Sequence, residues 1–233
     1  MIRETISKLH RELPATVKLV AVSKFHPFEA IEEAYQAGQR AFGESRPQEL
    51  LAKVRRLEDI RAERGEPDYM SDIEWHFIGH LQTNKLKMVL PYVSLVQSVD
   101  SVRLLEAIDR WGAANEKVIN VLLECFISSD ETKQGFSEDE LIAILSGDRV
   151  YANVRICGLM GMATFTDDEE VIREDFQRLL DMQQILHDWI GESANVHAGC
   201  NDLSMGMSDD YPIAVAMGST IVRIGSMIFG ERR

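Results

Sequence analysis

VKLVAVSKFHPFEAIEEAYQAG, residues 17–38, is the stretch on which the fold turns. Its first seven positions, VKLVAVS, are apolar almost throughout and rich in β-branched side chains, as in a parallel strand covered on both faces. Pro27 then stands at a helix start, Ile31, Ala34 and Tyr35 recur at helical spacing, and Gly38 ends the run. That order is the usual asymmetry of proline at the beginning of a helix and glycine just past its end. A buried strand followed at once by an amphipathic helix is one βα unit.

The rest of the chain repeats this unit. Upstream, Ile2, Ile6, Leu9 and Leu13 share a helical stripe stopped by Pro14, which gives an opening helix outside the repeat. Downstream, strand candidates RAFGE (40–44), IEWHFIG (73–79), VSLVQSV (93–99), VINVLLECFI (118–127), VRICGLMGM (154–162), the region 196–203 and TIVRIG (220–225) alternate with helical stretches. The helix after residue 44 carries Leu50, Leu51, Val54 and Leu57. Others are expected around 84–89 before Pro91, over 100–111, from about 168 to 190 and from about 210 to 217. Ser137 and Glu140 have capping-box spacing and open a further one. Eight strands separated by helices predict an α/β fold with a parallel sheet, closed as a single (β/α)8 TIM-type barrel with an extra N-terminal helix. An open doubly wound sheet would use fewer strands. With no Gly/Ser/Pro linker, low-complexity stretch or internal repeat, residues 1–233 read as one domain.

Composition narrows the function. Of 233 residues, 45% are hydrophobic and 27% charged, and the formal charge of −13 argues against nucleic acid, whose binding needs clustered Lys and Arg. A local electropositive pocket for a small anion is still compatible with it. Cys125, Cys157 and Cys200 are far apart, with no CxxC pair, and read as reduced thiols rather than a zinc or disulfide framework. The N-terminal MIRETISKLHREL lacks the apolar core of a signal peptide, and no run approaches the roughly 18 apolar residues of a membrane span. A soluble, cytoplasmic protein without a membrane partner is expected.

In such a barrel reactive groups sit at the C-terminal ends of strands, with phosphate held by the loops after strands seven and eight. Ser23 and Lys24 end the first strand. SMGMS (204–208) follows the seventh and RIGS (223–226) closes the eighth, placing small hydroxyl side chains beside glycine, where backbone N–H groups can approach a phosphate. Asp209 and Asp210 fit a helix start equally well as a plain cap. Lys24 has two readings: a snorkelling lysine at the mouth, or a Schiff-base lysine whose amine is freed by partial desolvation and a neighbouring cation such as Arg223. A lysine together with a phosphate anchor is what an aldehyde-bearing phosphorylated cofactor requires. Glu44 and Lys133 are pocket-rim candidates, and Met160 and Met162 line the core or the pocket wall. His76 and His80 flank FIG in a strand and cannot share a helical face as zinc ligands do, so no metal site is expected. No Ser/His/Asp order marks a hydrolase.

AVSK (21–24), FGE (42–44), WHFIGHLQTNK (75–85), LSMGMSDD (203–210) and GSTIVRIGSMIFG (218–230) carry a resemblance. Over essentially its whole length the chain resembles the pyridoxal phosphate homeostasis protein family, whose barrel is that of alanine racemase's N-terminal domain. The resemblance implies that pyridoxal 5′-phosphate is the cofactor and Lys24 the aldimine lysine. It places Ser204, Gly206, Gly225 and Ser226 at the phosphate and Arg223 opposite the pyridine nitrogen. A guanidinium there disfavours protonation of the ring and makes the cofactor a poorer electron sink. Ser45 and Phe126 depart from the family pattern, which often has Asn at both places.

The function implied is carriage and homeostasis of the cofactor, with no catalytic residue and with release to apoenzymes that depend on it; a monomer is expected. The alternative is an amino-acid racemase of the alanine racemase type, which needs a second, β-rich domain for which the sequence leaves no length after Arg233. A phosphosugar enzyme would account for the phosphate loops and leave Lys24 unexplained.

Overall fold

The computed structural model describes residues 1–128 and 134–230. Helix α1 (Ile2–Glu12) precedes β1 (Lys18–Val22), α2 (Phe28–Gln36), β2 (Ala41–Glu44), α3 (Pro47–Arg64) and β3 (Glu74–Phe77). A 3-10 turn over Thr83–Lys85 leads into the short α4 (Leu86–Val89), followed by β4 (Leu95–Val99), α5 (Val102–Ala114) and β5 (Ile119–Cys125). The chain continues through α6 (Glu138–Ser146), β6 (Val154–Gly161), α7 (Glu169–Asp188), β7 (Asp202–Ser204), α8 (Tyr211–Ala216), β8 (Ile221–Ile224) and α9 (Ser226–Phe229).

Each strand pairs in parallel with the next, and β8 returns to β1 through Lys18↔Ile221 to Ala21↔Ile224, so the barrel is closed. Closure explains the near-continuous apolar strands: one face packs on helices while the other fills the barrel. Val20, Ala41, Leu95, Leu122, Met160 and Ile221 meet inside as one apolar cluster. A larger cluster, with Phe42, Phe77 and Phe176 fully buried, lies between the strands and the helical ring. α1 lies outside the repeat and packs on α2 and α9, burying Ile6 and Leu9.

Local chemistry sets several helix ends. Ser137 and Glu140 form the expected reciprocal capping box at α6, while Ser101 accepts the Leu104 N–H at α5 and Asp168 the Glu170 N–H at α7. The seventh strand differs from expectation. Only Asp202–Ser204 join the ladder, and Val196 makes a single bridge to Ile156. Between them the chain turns, with the Cys200 N–H on the His197 carbonyl at 3.0 Å and the Cys200 carbonyl accepting Gln183 Nε2 at 2.8 Å, while just upstream the Asn195 side chain accepts the Tyr151 N–H at 2.9 Å and donates to the Arg149 carbonyl at 2.7 Å.

Candidate functional site

Lys24 is half-buried in the loop after β1, at the C-terminal mouth of the barrel. The backbone on either side of it is tied down. Ser23 donates its N–H to the Gly43 carbonyl and its hydroxyl to Glu44 Oε1 at 2.6 Å; its own carbonyl accepts Lys53 Nζ at 2.8 Å. Lys53 also donates to Glu44 Oε1 at 2.6 Å. On the other side Phe25 holds φ at 68°, a left-handed conformation that persists for a bulky side chain only where its surroundings over-determine it. Glu49 Oε2 accepts the Phe25 N–H at 2.8 Å, and the Arg46 guanidinium lies 4.4 Å from the ring centre. His26 stacks on Phe229 of α9.

Glu44, expected on the pocket rim, faces away from it. Alternation along β2 puts Ala41 inside the barrel and Glu44 outside it, fully buried under α3. Burial pushes its carboxyl up, against the pull of Lys53 and Ser23. Its second oxygen, Oε2, is buried with no hydrogen-bond partner among the described residues. Lys133 lies outside the described residues.

The two glycine-serine loops meet each other and approach β1. Ser226 Oγ donates to Ser208 Oγ at 3.0 Å, joining the loop after β8 to the loop after β7. Gly225 lies so close to Val22 that a Cβ would stand 3.2 Å from both its Cβ and its carbonyl oxygen. Val22 is two residues before Lys24. Gly206 holds φ at +96°, and a Cβ there would come within 2.6 Å of Ala214 Cβ, so neither its conformation nor its space suits another residue. Its carbonyl accepts the Arg223 N–H, and Met207 N–H is held by Asp210 Oδ1.

Arg223 points into the barrel and is 5% exposed. Nη1 donates to Ser204 Oγ at 2.5 Å and Nη2 to the Gly161 carbonyl at 3.1 Å. Burial brings its pKa down to about 10, so it is still a cation at neutral pH. Ser204 is fully buried, and its hydroxyl, which sequence placed at a phosphate, is engaged inside the barrel by Arg223 and by Gln97 Oε1 at 2.6 Å. Across the mouth from Lys24 stand groups that sequence reasoning missed. Glu124, on β5, is pushed up to about 7 by burial and by the Asp100 carboxylate, with Arg223 and His80 pulling the other way. His80 Nδ1 lies 2.9 Å from Asp100 Oδ2. A glutamate inside the apolar run VLLECFI was the signal that could have revealed this wall, as was a glutamine inside VSLVQSV.

Met160 belongs to the inner apolar cluster, with Met162 packed beside it. Cys125 and Cys200 are buried, and burial pushes the Cys157 thiol up to about 11, which leaves it a poor nucleophile. His76 turns to Gln97 while His80 turns to Asp100, so the two rings serve different partners. Phe126 donates its N–H to the Phe136 carbonyl.

The chain is a closed parallel barrel with a lysine after its first strand and paired glycine-serine loops after its last two, and the model of the alanine racemase N-terminal domain family matches residues 1–233. Relatives narrow the class. A pyridoxal phosphate homeostasis protein of Aquifex aeolicus is 37% identical over 216 residues, covering 93% of this chain and 87% of its own. The human protein of that name is 38% identical over 242 residues, covering 99% and 82%. The structure of PipY from Synechococcus elongatus with PLP bound superposes with a TM-score of 0.84 at 33% identity, covering 99% of this chain and all of PipY. Alanine racemase of Clostridium difficile, at 12% identity and a TM-score of 0.74, shares the fold alone. The chain belongs to the pyridoxal phosphate homeostasis protein family.

Proposed function

We propose that this protein binds pyridoxal 5′-phosphate at the barrel mouth and serves its homeostasis, holding the cofactor reversibly through Lys24 and carrying out no dedicated turnover. The observation that carries the reading is the convergence of three loops: Gly225 seated against the end of β1 two residues before Lys24, and Ser226 bonded to Ser208 across from it. The residues suit the group. Gly206 and Gly225 let their loops pack directly on Ala214 and Val22 and keep the backbone free of side chains there, the paired serine hydroxyls are the donors a phosphate needs, and Arg223 is a buried cation without acceptor atoms.

When bound, the cofactor supplies an electrophilic aldehyde and a ring nitrogen. Lys24 Nζ is the attaching amine, held in place by its anchored neighbours Ser23 and Phe25. Gly206, Gly225 and Ser226, with Ser208, hold the phosphate. Arg223 offers the ring nitrogen donors only, which opposes its protonation. Ser204 acts through Arg223, because its hydroxyl is committed inside the barrel. We take residues 1–233 as one domain, a reading supported by a barrel that closes between Lys18 and Ile224. Among the described residues no helix is long and apolar enough to cross a membrane. A cytoplasmic monomer that hands its cofactor to dependent apoenzymes completes the proposal.

The test is loading with the cofactor, borohydride trapping and peptide mass spectrometry. One equivalent attached at Lys24, lost in Lys24→Ala with the far-UV spectrum unchanged, supports the reading. Attachment at another amine, or sustained conversion of L- to D-alanine at the rate of a dedicated racemase, overturns it.

A further inference from the structure

Inside the barrel, side chains from five strands form one polar file beside the apolar cluster. Arg223 Nη1 donates to Ser204 Oγ at 2.5 Å, Ser204 Oγ donates to Gln97 Oε1 at 2.6 Å, and Gln97 Nε2 meets His76 Nδ1 at 2.8 Å. Beyond the ring, His76 Nε2 lies 3.7 Å from Glu74 Oε2, which also accepts Lys18 Nζ at 2.6 Å. Arg223, Ser204, Gln97 and His76 are all 5% exposed or less. Groups so far from water are expensive to leave unmatched, so the donor order along the file is constrained.

Arginine fixes that order because it has donors and no acceptor. Ser204 therefore accepts from Arg223, and its single proton goes to Gln97 Oε1. The Gln97 amide nitrogen then donates to His76 Nδ1, which must carry a lone pair. The ring proton sits on Nε2, toward Glu74. Turning the Gln97 amide over would aim a second donor at Ser204 and leave the hydroxyl proton without this acceptor. Burial lowers the His76 pKa, in keeping with a neutral ring.

We propose that Gln97 and His76 are positioning residues for Arg223: by fixing the Ser204 hydroxyl rotor they hold the guanidinium at the angle from which it meets the cofactor's ring nitrogen. The proposal rests on the placement of that ring at Arg223 argued above. Its structural core is that the guanidinium is anchored at two points, the Ser204 hydroxyl and the Gly161 carbonyl. Losing the first leaves it pivoting on the second. Mere space filling would not require a glutamine, since Leu95, two residues earlier on β4, and Leu122 on β5 fill the same interior.

The file is tested first in the cofactor-free protein, by nitrogen NMR of the His76 ring. A neutral ring protonated on Nε2 supports it, and a proton on Nδ1 overturns it whether or not the cofactor reading survives. The second measurement uses Gln97→Leu loaded with cofactor labelled at the ring nitrogen. Attachment at Lys24 should persist, with binding about ten-fold weaker and the ring-nitrogen shift displaced. Gln97→Glu, which keeps an acceptor for Ser204 and can take a proton from a re-tautomerised His76, should restore both. Native affinity and an unmoved shift in Gln97→Leu would reduce Gln97 to core filling and end the proposal. Failure of the wild type to take up cofactor would instead count against the proposed function, with the cofactor-free NMR still deciding on the file.

Discussion

Replacing Lys53 by Met should destabilise the barrel far more than its single charge suggests. The ammonium is almost wholly buried and supports two acceptors, Glu44 Oε1 at 2.6 Å and the Ser23 carbonyl at 2.8 Å. Glu44 is fully buried and one of its oxygens already has no partner among the described residues, so Lys53→Met would leave a carboxylate supported there by the Ser23 hydroxyl and no cation. Breaking one side of a buried pair costs about 3–5 kcal/mol, a large part of the ~5–15 kcal/mol that keeps a typical domain folded.

The pH dependence follows from Glu44. Its folded pKa is raised, so its contribution favours folding most strongly at acidic pH and is lost as pH rises. Without Lys53 the carboxyl should move further up, and the penalty in Lys53→Met should shrink as the solution is acidified. Urea unfolding followed by circular dichroism at several pH values measures both. The double variant Lys53→Met/Glu44→Leu removes the stranded charge and should return to within about 1 kcal/mol of wild type. Cofactor uptake should not recover with it, because the Ser23 carbonyl still lacks its lysine and the hydroxyl has lost its acceptor. A loss below about 1 kcal/mol in the single variant, or full recovery of uptake in the double, would refute the claim that this pair fixes the Lys24 loop.

Two further perturbations test the mouth. Glu124, moved from an ordinary 4.5 to about 7, favours folding while protonated, and that advantage is lost as pH rises from about 4.5 through 7. Glu124→Gln should remove about 3 kcal/mol of pH-dependent stability across that window, read as the difference between the two unfolding curves; parallel curves would contradict the burial of this carboxyl. Gly206→Val should destabilise by about 1–3 kcal/mol, since φ is +96° and Ala214 leaves no room, and calorimetric titration should show weakened binding of cofactor; an unaltered melting temperature would mean that the loop relaxes freely.

Strand order and closure were legible because they depend on patterns that repeat. VKLVAVS and its seven counterparts carry the strand signal, and the resemblance to a known family set the cofactor expectation. What was not legible depends on where a side chain points. Glu44 ends its strand and reads as a rim residue, yet one step of alternation from Gly43 turns it under α3. Ser204 sits in a glycine-rich string that looks like a phosphate loop, and its hydroxyl goes inward because it belongs to the last position of β7. The strand expected over 196–203 shrank because the Cys200 N–H turns back to the His197 carbonyl and the Cys200 carbonyl is taken by the Gln183 side chain of α7, a tertiary use that no local pattern announces.

The polar residues inside apolar strands were the neglected signal, and they have a common explanation. Ser23, Glu44 and Lys53 lie on the outer side of the barrel wall, while Arg223, Ser204, Gln97 and His76 lie within it. Stability alone does not call for either group, since apolar side chains of similar volume often pack such spaces as well as buried charges do. Each ends at the mouth on a different reactive element: the outer set on the residue before Lys24, the inner set on Arg223. In the proposed site an amine and a guanidinium would face one ring and each would have to hold one orientation, which long, flexible side chains do only when neighbours supply fixed partners. On the proposed function, breaks in hydrophobic pattern at Glu44 and Gln97 would therefore mark supports of the site, whereas exposed loop residues around it are what any solvated surface would also carry.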